Sequence, residues 1–479
     1  MTEVLCIEEK NLLDLLIPTV RKFRLEAAGA RGDFAVAAQA VAGLLRSARE
    51  IAVTNALELA TENRPKRIRC PGCQGEATGW SSGRRRVVTD QGAGTYDRIR
   101  YRCPRCEKDY YPTEEANGLV RTSYTLEARK TIAAFAAERP YAEAAAQLWE
   151  VRGIPVSAKE VDTITREMAA LVRESERKLV DAQFGETALT KRVENPDVDP
   201  LDSAQALHDM SDWSPTTPAL VSVDGGKVRS PEVGERGLEW FECRAGVIAP
   251  AKDTDAGRTV FVGGYATADE IFGLLAATYR KSAGSGREFY FVADGAAWIW
   301  DRVPLYFPNA VQVLDIYHAG EHVGSAAAAA WGDGAKKANH WRKHARDFLL
   351  EPHGVRTVLG SLIKHLRASR KGASTVASVD DLVREIRYLF RHRHRMRYFE
   401  LHKKEAPIGS GVMESAIKQL STMRLRLPGM MWTRQGADAV LRLRAAHLSG
   451  ALDGIVERER SSLNDKAARY CPPELRRAA

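Results

Sequence analysis

Three acidic residues, Asp224, Asp294 and Glu414, stand where chemistry could rest on them. Asp224 ends the Val-rich run Pro218-Ala-Leu-Val-Ser-Val-Asp224, which then turns on Gly225 and Gly226. Asp294 ends a second apolar run, Glu288-Phe-Tyr-Phe-Val-Ala-Asp294, and Glu414 sits in the first turn of a helix opened by Ser410-Gly-Val-Met-Glu414. Carboxylates drawn together repel, so a site that collects them is either protonated or filled by cations. Hard divalent ions, Mg²⁺ or Mn²⁺, answer that repulsion with their preference for oxygen ligands. A pair of such ions roughly 3.5–4 Å apart can activate water and stabilise the leaving oxygen of a phosphodiester.

Each acid also has a plainer reading. Asp-Gly is an ordinary turn pair, and an acid in the first turn of a helix is favoured by the helix dipole. Asp315 ends a further apolar run, Ala310-Val-Gln-Val-Leu-Asp315, and competes with Asp294 for the second position. Spacing does not separate them, although strand order favours Asp294 as the neighbour of the first strand. His318, at a helix start beyond Asp315, is either a satisfied structural residue or a group that meets a scissile phosphate. Trp298, Trp300 and Trp432 read as core, with stacking on an unpaired base as the alternative.

A different metal is expected earlier in the chain. Cys70-Pro-Gly-Cys73 and Cys103-Pro-Arg-Cys106 flank a segment with strand character, Arg84 to Thr89 and Tyr96 to Tyr101. Two such knuckles facing each other complete a tetrahedron of thiolates, the pattern of a zinc ribbon; four sulfurs leave no open position, so the Zn²⁺ is structural. Arg84, Arg85 and Arg86 beside it are candidate phosphate contacts.

The elements that position these groups follow from periodicity. Residues 1–62 are helical, 63–115 hold the ribbon, and 120–182 read as helices with a helix-turn-helix character. There Ser157 caps a helix that turns Lys159, Thr163 and Arg166 toward DNA. A polar linker, 183–217, precedes strands in a row and then alternating helix and strand over 218–319, resumed at 406–450. This is the order of a ribonuclease-H-like α/β fold. The interruption, 320–405, is helical and basic, ending in the run of Arg391, Arg393 and Arg395, a candidate wall for a DNA backbone; 451–479 is a C-terminal tail.

With 71 Lys+Arg against 62 Asp+Glu the net charge is +9 and the pI about 9.1, which suits a polyanionic partner but also a merely solvated basic surface. Glu3, Glu8 and Glu9 argue against a secretory leader, and no uncharged apolar stretch of about 18 residues predicts a membrane span. A cytoplasmic, nucleoid-associated protein with no membrane contact is expected.

The blocks Val223-Asp-Gly-Gly226, Val292-Ala-Asp-Gly-Ala-Ala-Trp-Ile-Trp300, Val313-Leu-Asp-Ile-Tyr-His-Ala319 and Ile408-Gly-Ser-Gly-Val-Met-Glu-Ser-Ala416, with Arg424 to Trp432 after them, resemble bacterial insertion-sequence transposases of the IS-Kra group, relatives of the Mutator-like type. The resemblance implies a DDE transposase whose ribonuclease-H-like catalytic domain carries an all-α insertion and follows helical and zinc-ribbon DNA-binding modules. It makes Asp224, Asp294 and Glu414 the metal-binding acids, and matches Asp315 with His318 to a D-x-x-H element. It further implies double-stranded DNA partners, the element ends and the target, and a homodimer or higher oligomer that brings two ends together. A transposase-derived DNA-binding regulator that does not cut, and a structure-selective nuclease on the same fold, are the competing functions.

Overall fold

Two long helices, α1 (Ile7–Gly29) and α2 (Phe34–Thr61), begin the computed structural model, which describes residues 7–31, 33–62, 64–186, 207, 213–214, 216–234, 237–252, 257–283, 287–370 and 375–468. Most of the expected linker 183–217 lies outside the described residues. The chain divides into two units, Met1–Leu171 with Leu452–Ala479, and Val172–Ala451. No described helix is long and apolar enough to cross a membrane.

In the first unit the turn between the helices ends at Asp33, whose carboxylate accepts from the N–H groups of Ala35 (2.8 Å) and Val36 (3.2 Å), satisfying two donors that α2 leaves open. Strands β1 (Arg67–Arg69), β2 (Glu76–Thr89), β3 (Gly92–Arg102) and β4 (Asp109–Tyr110) then pair in that order, all antiparallel. Helix α3 (Leu126–Glu138) follows, capped by Thr125. A shorter helix, Tyr141–Gln147, runs through a π turn and stops where Gly153 adopts the left-handed conformation (φ 66°). Ser157 opens α4 (Ala158–Phe184) with a capping box: its Oγ accepts from the Glu160 N–H, and the Glu160 carboxylate accepts from the Ser157 N–H.

The expected tail instead contains the helix Leu452–Ala467. Its Asp453 lies 2.7 Å from Lys130, and its Arg460 pairs with Glu127, both on α3. Buried Leu452, Ile455 and Val456 give that helix the apolar face that a solvated tail lacks.

The second unit is built on a five-stranded sheet in the order β7-β6-β5-β8-β9. The hairpin β5 (Ala219–Gly234) and β6 (Gly237–Pro250) and the strand β7 (Val260–Gly264) are antiparallel; β8 (Phe289–Ala293) and β9 (Val311–Leu314) run parallel to β5. The strands on either side of β5 are reached differently: β6 by a tight hairpin, β8 by a crossover through α5 (Ala268–Ala283). Near-continuous burial of β7 and β8 matches their apolar sequences. Phe272 of α5 stacks on Phe291 of β8 at 5.7 Å between ring centres, and both are fully buried, each contributing about 1.5–3 kcal/mol relative to exposure.

Beyond β9 the chain becomes helical. α6 (Ile316–Trp331) and α7 (Val379–His392) pack together, with further helices between them. The chain returns with α8 (Gly411–Ile417), which packs on β5 and β6, and α9 (Arg434–Leu448), which packs on β7.

Candidate functional site

Register brings the acids of the sheet to one level. Val221 pairs with Phe291, so Asp224, three residues on, stands level with Asp294; Ala293 pairs with Leu314, so Asp294 stands level with Asp315. In-register residues of parallel strands point to the same face, and neighbouring strands lie about 4.8 Å apart. Asp224 and Asp294 are therefore direct neighbours, and Asp315 is one strand further out.

Their surroundings differ. Burial pushes the Asp224 carboxyl up to about 6; the Gly225 N–H, 2.6 Å from its Oδ1, pulls the other way, Asp294 and Glu242 add to the rise, and His318 opposes it. Asp294 accepts from the Ala296 N–H (2.9 Å), and its backbone carbonyl accepts from the buried Trp300 indole (2.6 Å). Asp315 has both oxygens engaged: Oδ1 accepts from the His318 N–H at the start of α6 (2.8 Å), and Oδ2 accepts from the N–H and hydroxyl of Ser410. It thus fastens the entry of α8 to the end of β9. Glu414 is exposed in the first turn of α8 and is not among the groups that act most strongly on Asp224.

The helical segment surrounds His318 with residues that sequence reading did not single out, His322, Glu385 and Tyr388. His318 and His322, one turn apart on α6, lie 5.0 Å from each other. The His322 ring stacks at 3.6 Å on Tyr388 of α7, and its Nδ1 is 2.6 Å from the Glu385 carboxylate. Tyr388 is pressed against the chain just after Asp294: a Cβ at Gly295 would meet its hydroxyl. That hydroxyl is buried and has no hydrogen-bond partner among the described residues. Burial, Asp294, Glu385 and Asp315 all raise its pKa, so it stays protonated and able to donate. The signal available in sequence was the His pair spaced i, i+4 directly after Asp315, and Glu385 and Tyr388 spaced i, i+3 on a facing helix.

The expected DNA contacts sort by partner. Alternation along β2 separates Arg85 from its neighbours: Arg85 pairs with the buried Glu114, shared with Arg98, and donates to the carbonyls of Leu119 and Thr122. Arg84 is exposed but paired with Glu58, and Arg86 is exposed. Lys159, Thr163 and Arg166 share the exposed face of α4, with Arg166 bound to Asp162. Arg391 and Arg393 are exposed, the latter lying on the Phe390 ring, whereas Arg395 stacks on Trp300 at 4.2 Å and donates to Gln312. Trp298 packs edge-on against Phe272, and Trp432 donates to the Leu425 carbonyl.

The four cysteines close on one another. Cys70 and Cys106 are 3.5 Å apart at sulfur, as are Cys73 and Cys103, and all four sulfurs lie within 4.8 Å. A tetrahedron with Zn–S bonds of 2.3 Å has edges of about 3.8 Å, so the donor set and its size fit zinc. The two knuckles share a backbone form: Gln74 (φ 60°) donates to the Cys70 carbonyl and Glu107 (φ 57°) to that of Cys103. Among the described residues this is the one group of three or more potential ligands so closed; Asp224, Asp294 and Glu414 are not drawn together to that degree.

A model of an uncharacterised protein family (UPF0236) matches residues 273–462, a span that holds Asp294, Asp315, the histidine pair, Tyr388 and Glu414 but neither Asp224 nor the cysteines. No curated protein matches the chain.

Proposed function

We propose that the chain is a DNA transposase of the bacterial insertion-sequence type, with a ribonuclease-H-like core, that binds the terminal inverted repeats of its element and carries out metal-dependent strand cleavage and strand transfer. One observation carries the reading: Asp224 and Asp294 sit level on adjacent parallel strands, with burial and the second carboxylate holding the first up at about 6. The sheet order, antiparallel β7-β6-β5 continued by parallel β8 and β9, supports the fold assignment.

The carboxylate oxygens of Asp224 and Asp294 suit a hard cation, and their repulsion gives it a reason to be there. Mg²⁺ or Mn²⁺ supplies activation of water and neutralisation of charge at the cut phosphate. The chain's own groups do the rest. His318 faces Asp224 and is placed to hold a proton, and the Tyr388 hydroxyl is a donor beside Asp294. Glu414, on the exposed turn of α8, is the third acid by resemblance. Arg86 and the exposed face of α4 serve end recognition in this reading, and Arg391 and Arg393 the flanking backbone. Holding two ends at once calls for a dimer or larger assembly, working on the nucleoid in the cytoplasm.

The position of Glu414, outside the strongest influences on Asp224, favours a second reading: a transposase-derived regulator that binds ends without cutting. Incubating the protein with Mg²⁺ and DNA carrying the sequences that flank its gene, beside a shuffled-end control, separates the two. Cutting at the true ends supports the transposase, binding without cutting supports the regulator, and equal cutting of shuffled ends points to a nuclease.

A further inference from the structure

Along β5 beyond Asp224 lies a cleft that the reading above does not use. It has a volume of about 780 Å³ and is lined by Gly225, Lys227, Arg229 and Trp240 of the β5–β6 hairpin and by the segment Leu425 to Met430. We propose that it binds single-stranded DNA, one base stacking on Trp240 and the phosphates meeting Lys227, Arg229 and Arg426. The proposal deepens the reading of the chain as a DNA transposase, whose cut leaves an unpaired strand to be held.

The composition of the cleft argues for a polyanion. Alternation along β5 turns Gly225, Lys227 and Arg229 to one face while Val228 is buried on the other. Among the described residues no ion pair engages Lys227, Arg229 or Arg426, and the carboxylate that does lie against the cleft wall, that of Glu242 over Gly225, belongs to another pair. Glu242, opposite Lys227 in the ladder, is paired with Arg244 at 2.7 Å. Uncompensated cations concentrated in a concave surface attract phosphate more strongly than the same charges scattered over a face.

Trp240 argues for an unpaired base. It stands opposite Arg229 on β6 and is 58% exposed, a large aromatic surface left in water beside three cations. A duplex keeps its base faces stacked inside, whereas a single strand offers them, and stacking on an aromatic side chain tolerates any sequence.

The walls are fixed to each other. Arg426 Nε donates to the Lys227 carbonyl (2.8 Å), the Trp432 N–H to the Arg229 carbonyl (2.9 Å), and the Trp432 indole to the Leu425 carbonyl (3.1 Å). The cleft begins at Gly225, the residue after Asp224, but on the opposite face of β5, since the Asp224 side chain shares the alternation of Val228. Its volume falls within the range of about 300–1,000 Å³ typical of sites for small ligands, enough for one or two nucleotides.

Fluorescence anisotropy of labelled oligothymidylate, and of a duplex of equal length, on the full chain carrying Asp294→Asn to prevent cutting, tests this. Trp240→Ala should weaken single-strand binding about 5- to 150-fold and leave the duplex nearly unchanged, and Trp240→Phe should keep most of the affinity. Lys227→Ala and Arg426→Ala should each flatten the salt dependence by about 0.7. Unchanged single-strand binding by Trp240→Ala, or equal losses for duplex and single strand, would overturn the proposal. If the native chain cuts element ends while Trp240→Ala binds as its parent does, the cleft assignment alone falls. A Trp240→Ala loss in a chain that cuts nothing leaves the cleft standing and removes the transposase.

Discussion

The hydroxyl of Tyr388 occupies the space in which a side chain at Gly295 would begin, one residue from Asp294. The helical insertion thereby reaches the acid pair, and Gly295 has a reason beyond turn formation. Gly295→Ala forces α7 away from β8, so it should lower cutting and stability together. In a Tyr388→Ala background the same change should cost much less, a non-additivity that paired thermal melts would read. Equal costs in both backgrounds would mean that the contact is unimportant.

Asp224 makes a stability prediction with a definite sign. Its folded carboxyl titrates at about 6, against about 3.9 for an unfolded Asp. The folded chain therefore holds a proton that the unfolded chain releases. This contribution is full below about pH 4 and is lost as pH rises through 6. Asp224→Asn should stabilise the protein near pH 7.5 by about 2 kcal/mol and by almost nothing below pH 4. Mg²⁺ should raise the melting temperature of the native chain and not that of the variant.

Asp315 should behave as a structural residue. Asp315→Ala removes the cap of α6 and the hold on Ser410 and should cost about 2 kcal/mol. The Mg²⁺-induced rise in melting temperature should survive this change, whereas Asp294→Asn should abolish it. Calorimetric melts with and without Mg²⁺ distinguish them.

The cysteine site should carry one zinc per chain. Cys103→Ser should release it and leave the β1–β4 sheet open to proteolysis, because a structural zinc site is folding free energy for so small a sheet. Full protease resistance without zinc would rule out that role.

Much of this was legible in the sequence, and the limits have physical causes. The apolar run closing on Asp294, the helix Leu126–Glu138 and the Ser157 cap are local patterns, and the structure has these elements in those places. The strand expected to end at Asp224 and turn on Gly225 and Gly226 instead runs on through them to Gly234, because β6 pairs with it along that whole length. Pairing between distant strands is not local: spacing does not separate Asp294 from Asp315 and strand order only favours Asp294, while the ladder sets Asp294 beside Asp224 and Asp315 beyond it. Three consecutive arginines look alike in a string, yet strand alternation sends Arg85 inward to Glu114. Tyr388 lay hidden in a segment read for its charge, since nothing in one sequence says which helix face meets a strand end far away. Trp240 escaped because an aromatic in a strand reads as core.

Strand cleavage by an acid series tests the central claim most directly. Element-end DNA and Mg²⁺ would be given to the native chain and to folded Asp224→Asn, Asp294→Asn and Asp315→Asn. The account predicts cutting by the native chain, loss of at least about 100-fold in the first two variants, and retained cutting in Asp315→Asn. Undiminished cutting by Asp294→Asn, or loss confined to Asp315→Asn, would contradict it.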